Sequence, residues 1–177
     1  LICKGVQPKY YFISGSGNKR SFSKSNLSKI SKSLIEEQKK YKIFLSGGDT
    51  VFSNKLSFTI TTIGYSSDII YRNRAKINDD IYVSGNIGDS YLGLLILKKK
   101  IKLNASLNKY FTNQYFMPDI KFKLVSYLKK FANTSIDISD GLLTDLDKML
   151  NTQKLSYKLY LKDIPISNNL KKVLDFK

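Results

Sequence analysis

The chain contains no histidine, which removes Ser-His-Asp catalysis, Cys-His catalysis and histidine-ligated metals from this segment. Its one cysteine, Cys3, can form neither an intrachain disulfide nor a cysteine-based zinc cluster, and it fits a reducing, cytoplasmic compartment. No run approaches the roughly 20 consecutive apolar residues of a membrane-spanning helix, and Leu1-Ile2-Cys3-Lys4-Gly5 is too short and interrupted for a signal peptide. No membrane partner is expected. Internal repeats and low-complexity linkers are absent as well. Arginine is scarce, at Arg20, Arg72 and Arg74 only, so the formal charge of +16 is carried by lysines scattered along the chain. Base-edge recognition leans on the bidentate fork of Arg, and nucleic-acid binding leans on clustered charge. A basic nucleic-acid module is therefore the weaker reading, and no nucleic-acid partner is expected. Chemistry in this segment rests on carboxylates, hydroxyls, amides, Lys and Arg.

What is present suits folded α/β structure. The 177 residues are 42% hydrophobic, enough for one large domain or two small ones with real cores. The first residue is Leu1 where an initiator Met would stand, and Val173-Leu174-Asp175-Phe176-Lys177 reads as an unfinished helix, so truncation at both ends is expected. Lys9–Ser14 predicts a buried strand broken by Gly15-Ser16-Gly17-Asn18. From Ser23 or Ser25 to about Tyr41, the spacing of Leu27, Ile30, Leu34 and Ile35 predicts a helix burying one face. Ile43-Phe44-Leu45 predicts a short strand ending at Gly47-Gly48, and Leu56–Gly64 another. The pattern lapses after Gly64, where a domain boundary is expected. Beyond it come a strand at Ile81–Ser84, a turn at Gly85–Gly88, and a helix from Asp89 or Ser90 to about Lys99 buried through Leu92, Leu95 and Ile96. Pro118 suits the first turn of a helix running to Phe131 and buried through Phe122, Val125 and Leu128. A strand at Ser135–Ile138, a helix at Gly141–Leu150, a strand at Leu155–Leu161 and a turn at Asp163–Ser167 into a last helix complete the reading.

Three segments carry chemistry in prospect. In Ser46-Gly47-Gly48-Asp49-Thr50, adjacent glycines let the backbone approach a bulky anion and Asp49 can hold a Mg²⁺ bound to the same phosphates; a plain β-turn with a solvated carboxylate is the favoured reading of this motif taken alone. In Ile136-Asp137-Ile138-Ser139-Asp140-Gly141-Leu142, a helix N-terminus offers N–H groups to a phosphate while Asp137 and Asp140 can each take a hard cation. Ordinary N-capping by Ser139 or Asp140 is the alternative, although it leaves Asp137 inside a buried run at a desolvation cost. Gly85-Asn86-Ile87-Gly88-Asp89-Ser90 is explained by capping through Asp89 or Ser90. Gly15-Ser16-Gly17-Asn18-Lys19 lacks P-loop spacing and has no nucleotide role. Arg72, between the two blocks, suits either a phosphate contact or a solvated surface.

Taken in order, Gly47-Gly48-Asp49-Thr50, Arg72-Asn73-Arg74-Ala75-Lys76 with Asp79 or Asp80, Ile81-Tyr82-Val83-Ser84-Gly85 with Gly88-Asp89-Ser90 and Gly93-Leu94, Asp137-Ile138-Ser139-Asp140-Gly141-Leu142, and Ile164-Pro165-Ile166-Ser167 resemble the thiamine-monophosphate kinase family over almost the whole chain. The resemblance implies an α/β (α+β), two-domain PurM-like fold, with residues 1–66 the later part of the N-terminal ATP-binding domain and 67–177 most of the C-terminal domain. It implies ATP-dependent phosphorylation of thiamine monophosphate to thiamine diphosphate, a homodimer formed through N-terminal sheets, and an inactive segment when alone. It also implies that Gly48, Asp49, Arg72 and Ser139 contact ATP and that Asp49, Asp137 and Asp140 bind Mg²⁺, with no general acid or base. Other ATP-using enzymes of the fold, similar to aminoimidazole ribonucleotide synthetase or selenophosphate synthetase, differ at the Gly-Gly-Asp-Thr and Asp-Ile-Ser-Asp-Gly-Leu segments and form the alternative. Two departures stand out: Asn73-Arg74 replaces the family's small residue and glycine, and Ile77-Asn78 replaces its Pro-Gly.

Overall fold

The computed structural model describes residues 1–174, so Asp175–Lys177 of the expected unfinished helix lie outside the described residues. The chain divides into two units. The first comprises Leu1–Tyr71 and Phe122–Ser135, and the second comprises Arg72–Lys121 and the chain from Ile136 onward.

The first unit is built on a three-stranded sheet in the order β2-β1-β3, where β1 is Gln7–Gly17, β2 is Phe44–Phe52 and β3 is Ser57–Tyr65. Strand β1 pairs parallel with β2 and antiparallel with β3. Parallel pairing needs a crossover, supplied by helix α1, Lys24–Tyr41, whose cap Ser23 accepts the Asn26 N–H. Pro8 is tolerated in the central strand because it pairs only with β3; the ladder to β2 starts at Tyr10. The Gly15-Ser16-Gly17 segment continues the strand instead of breaking it. Gly15 pairs with Thr50 and Phe58, and the Phe22 and Phe58 rings, 6.2 Å apart, lie over the space where side chains at 15 and 17 would stand.

Val6, Tyr11 and Ile70 form the small buried core of this unit. The stripe expected to be buried on α1 is only partly so: Leu27 and Ile35 are exposed while Ile30 and Leu34 are half-buried. Helix α2, Val125–Phe131, returns to this unit. There Lys4 Nζ donates to the Ser135 carbonyl at 2.6 Å and Thr134 Oγ1 to the Tyr71 carbonyl at 2.9 Å.

The second unit is helical. Helices α3, Asp89–Leu97, and α4, Ala105–Phe116, pack tightly at Gly93, where a Cβ would fall 2.2 Å from the Phe111 carbonyl oxygen. Phe111 is fully buried, whereas the expected face of α3, Leu92, Leu95 and Ile96, is half-buried. Helices α5, Leu142–Leu150, and α6, Asn168–Leu174, complete it. Helix α4 has no counterpart in the sequence reading. Its signals are the cap Asn104, which accepts the Leu107 N–H, and Pro118, which directly follows the C-cap Met117. Proline there ends a helix, so no helix starts at Pro118; a 3₁₀ turn at Phe122–Leu124 precedes α2.

The strands expected at Ile81–Ser84, Ser135–Ile138 and Leu155–Leu161 do not form ladders among the described residues. Apolar alternation fits a strand only when a neighbour takes its N–H and C=O groups.

Candidate functional site

The segment Asp137–Leu142 folds into a turn shaped by a residue outside it. Asp145, on the first turn of α5, is 1% exposed. Its Oδ2 accepts the backbone N–H groups of Ser139 at 2.7 Å, Asp140 at 2.8 Å and Gly141 at 3.2 Å. Its Oδ1 accepts from Lys148 Nζ at 3.0 Å, and the same ammonium bonds Asp140 Oδ2. The Asp140 N–H is the chief cause holding the Asp145 carboxyl down at about 2; Lys148 and the Ser139 and Gly141 N–H groups add to it, against the effect of burial. The N–H groups that the sequence offered to a phosphate at 139–141 are thus engaged by Asp145. Neither Ser139 nor Asp140 caps the helix. The cap is Gly141, at φ 131°, a backbone conformation suited to glycine. Asp137 is exposed, so the desolvation argument for it falls away.

Arg72 is exposed at the start of the second unit. The chain beyond it is clipped to the far end of α5. Asn73 N–H donates to the Met149 carbonyl at 2.9 Å, and Gln153 bonds both the N–H and the C=O of Ala75, at 3.1 and 2.8 Å. Asn73 and Asn78 have φ of 61° and 69°, a region that Asn tolerates better than most residues, so Asn78 can stand where the family carries glycine. Nine residues of helix, roughly 13 Å, thus link the Arg72 clip to the Asp140 turn.

Gly48 and Asp49 lie in the first unit, within β2 and not in a turn. A bulge between Tyr11 and Phe12 pairs Leu45 and Gly47 with consecutive residues and leaves Ser46 unpaired. A Cβ at Gly48 would fall 1.8 Å from the Ile13 carbonyl oxygen, so the sheet itself demands glycine there. Asp49 is exposed, and its Oδ1 accepts the Thr50 N–H at 2.7 Å.

Asp89 is structural in a way that capping did not suggest. It is 4% exposed; Oδ1 accepts the Ser167 hydroxyl at 2.7 Å and Oδ2 the Tyr110 hydroxyl at 2.8 Å, joining α3, α4 and α6. Ser167 Oγ in turn accepts the Leu170 N–H, and burial pushes the Tyr110 phenol up. Gly88 is the cap of α3.

Among the described residues no three His, Cys, Asp or Glu side chains are grouped around a common point. Mg²⁺ keeps several waters and takes one or two carboxylates together with substrate phosphates, and within each unit taken by itself the exposed carboxylates, Asp49 in the first and Asp137 and Asp140 in the second, are of the type that fits it. Asp145 and Lys148 were missed in the sequence. The signal available was an Asp four residues after Gly141 with a Lys one helical turn beyond it.

No family model matches the chain. It is 36% identical over 176 residues to the thiamine-monophosphate kinase of Buchnera aphidicola subsp. Acyrthosiphon pisum, covering 96% of this chain and 53% of that protein. The solved thiamine monophosphate kinase of Aquifex aeolicus matches 99% of this chain and 60% of its own at 25% identity, with a TM-score of 0.90. A structure described as AaThiL complexed with AMPPCP and TMP matches 99% of this chain and 56% of its own, also at 25% identity and TM-score 0.90. The chain spans about half the length of the curated relatives it matches. With the motifs in family order and 99% of the chain matched in fold, the chain resembles the thiamine-monophosphate kinases throughout its length.

Proposed function

We propose that the protein transfers the γ-phosphoryl group of ATP to thiamine monophosphate, giving thiamine diphosphate. The observation that carries this reading is similarity to thiamine-monophosphate kinases running through 96% of the chain. It is supported by the equally extensive structural match to a relative complexed with AMPPCP and TMP. In this reading residues 1–66 are the later part of an ATP-binding domain and 67–177 most of a C-terminal domain. Gly48, Asp49, Arg72 and Ser139 contact ATP, and Asp49, Asp137 and Asp140 would hold Mg²⁺. Bound Mg²⁺ would neutralise repulsion between the two polyanionic substrates and charge developing on the transferring group.

The chain's own residues bind and orient. An acceptor phosphate oxygen is already anionic near neutral pH, so attack on phosphorus needs no strong general base, and a segment without histidine is adequate. Carboxylates serve cations here, and Arg72 supplies a fixed positive charge with a bidentate fork suited to phosphate oxygens. The protein works as a homodimer through its sheet, a proposal supported by the exposed Phe44, Val51, Phe52 and Ile60 side chains on β2 and β3. A cytoplasmic location accords with the single Cys3, and no helix among the described residues is long and apolar enough to cross a membrane.

The test is a kinase assay on the product of the complete open reading frame with ATP, Mg²⁺ and thiamine monophosphate. Thiamine diphosphate is expected, with loss of at least about 100-fold in kcat for Asp137→Asn. A folded wild-type protein that yields no product would turn the reading toward other ATP-using enzymes of the fold.

A further inference from the structure

Asp140 is held from two sides by groups that lie outside the segments singled out in the sequence. Its backbone N–H and those of its neighbours Ser139 and Gly141 converge on one oxygen of the buried Asp145, and its side chain is tied to Lys148, which also bonds the other Asp145 oxygen. The Asp140 side chain itself is 62% exposed and that of Lys148 41%, against 2% for Asp145. One end of the cluster is therefore anchored in the fold and the other opens to solvent. Helix stability alone would be served by a side chain capping from Ser139 or Asp140. Here the anchoring carboxylate lies inside the helix and reaches back over three consecutive N–H groups, which fixes the backbone on both sides of Asp140.

We infer that Asp145 and Lys148 are positioning residues for Asp140. Asp145 sets the turn that presents the Asp140 carboxylate, and Lys148 holds that carboxylate until a divalent cation displaces the ammonium from it. The inference rests on the proposed metal role of Asp140. It assigns the two residues opposite effects. Without the Asp145 charge the turn loosens and cation binding weakens, as happens when groups orienting metal ligands are removed, typically by about 10- to 100-fold. Without Lys148 a competing cation is gone and binding tightens, by about two- to fivefold for a pair this exposed.

The test follows Mn²⁺ alone binding to the product of the complete open reading frame, through loss of the free-ion electron paramagnetic resonance signal, with thermal melting as the fold control. Asp145→Asn is expected to raise the Kd about tenfold or more, and Lys148→Met to lower it. An Asp145→Asn protein with a lowered melting temperature but an unchanged Kd would show a purely structural role and overturn the inference for Asp145. If Asp145→Asn does not fold, Lys148→Met decides: tighter binding supports the inference, and unchanged or weaker binding overturns it. Asp140→Asn separates the two levels. If it binds Mn²⁺ as the wild type does, the metal role proposed for Asp140 fails whatever happens at 145 and 148.

Discussion

Gly48 in the first unit and Asp145 in the second each fix the backbone beside a candidate phosphate or metal contact, by opposite means. At Gly48 the constraint is steric: β2 runs so close to Ile13 that no side chain fits, and the bulge at Ser46 sets the register that Asp49 inherits. At Asp145 it is electrostatic, a buried carboxylate gathering three N–H groups and an ammonium. The difference extends through both units. The first is ordered by a backbone ladder and close glycine contacts around a small apolar core; the second, with no ladder among its described residues, relies on Asp89 to satisfy polar groups between helices and on Asp145 to fix the turn that enters α5. A steric constraint fails all at once when any atom is added, whereas a polar one degrades with the number of partners removed.

The largest effect expected from this contrast is at Gly48. Gly48→Ala places a methyl group where the Ile13 carbonyl oxygen stands, and main chain cannot step aside as a side chain can. A loss of about 3 kcal/mol or more is expected, read as a shift in the urea unfolding midpoint. A variant as stable as the wild type would mean that β1 and β2 separate readily at this point, removing the steric half of the comparison.

Next comes the polar half. Asp89→Ala leaves the Tyr110 and Ser167 hydroxyls without their shared acceptor in a buried site, at a cost of about 3 kcal/mol. Tyr110→Phe removes one donor and keeps the other, so about 1.5 kcal/mol is expected. Chemical denaturation of both variants checks the grading. Equal losses would show that the network acts as a unit, and that Asp89 constrains as sharply as Gly48 does.

The sequence was most legible where local chemistry decides. Ser23 and the charged, amphipathic run after it announced α1, and Asp140-Gly141-Leu142 announced the start of α5 within a residue. It was least legible where a partner decides. Gly15 and Gly17 read as a break because glycine lowers strand propensity, yet the central position of β1 and the rings above it make small residues fitting there. The alternating run at Leu155–Leu161 read as a strand, but alternation is only the side-chain half of a strand. Helix α4 was hidden by its polar composition, and Pro118, which marks its end, was read as a beginning. The site divides along the same line. Gly48, Asp49, Asp137, Ser139 and Asp140 are legible as a motif; Asp145 is not, because what marks it is the convergence of three N–H groups that only the folded turn creates.

Asn78 supplies a third kind of constraint, weaker than either, and the smallest expected effect. Its φ of 69° is a local conformational demand at an exposed position, in a turn where Asp79 accepts the Lys76 N–H at 2.8 Å. An ordinary L-residue there costs roughly 1–2 kcal/mol, from which Asn is partly exempt. Asn78→Ala is therefore expected to lose about 1 kcal/mol. Asn78→Gly should relieve strain in the folded state while widening the unfolded ensemble, two terms of about 0.5–1 kcal/mol that nearly cancel. The measurement is denaturant unfolding of both variants beside the wild type. Alanine equal to the wild type would show that the turn relaxes to negative φ in solution, and a glycine variant clearly more stable would show that strain at Asn78 outweighs the entropy it saves.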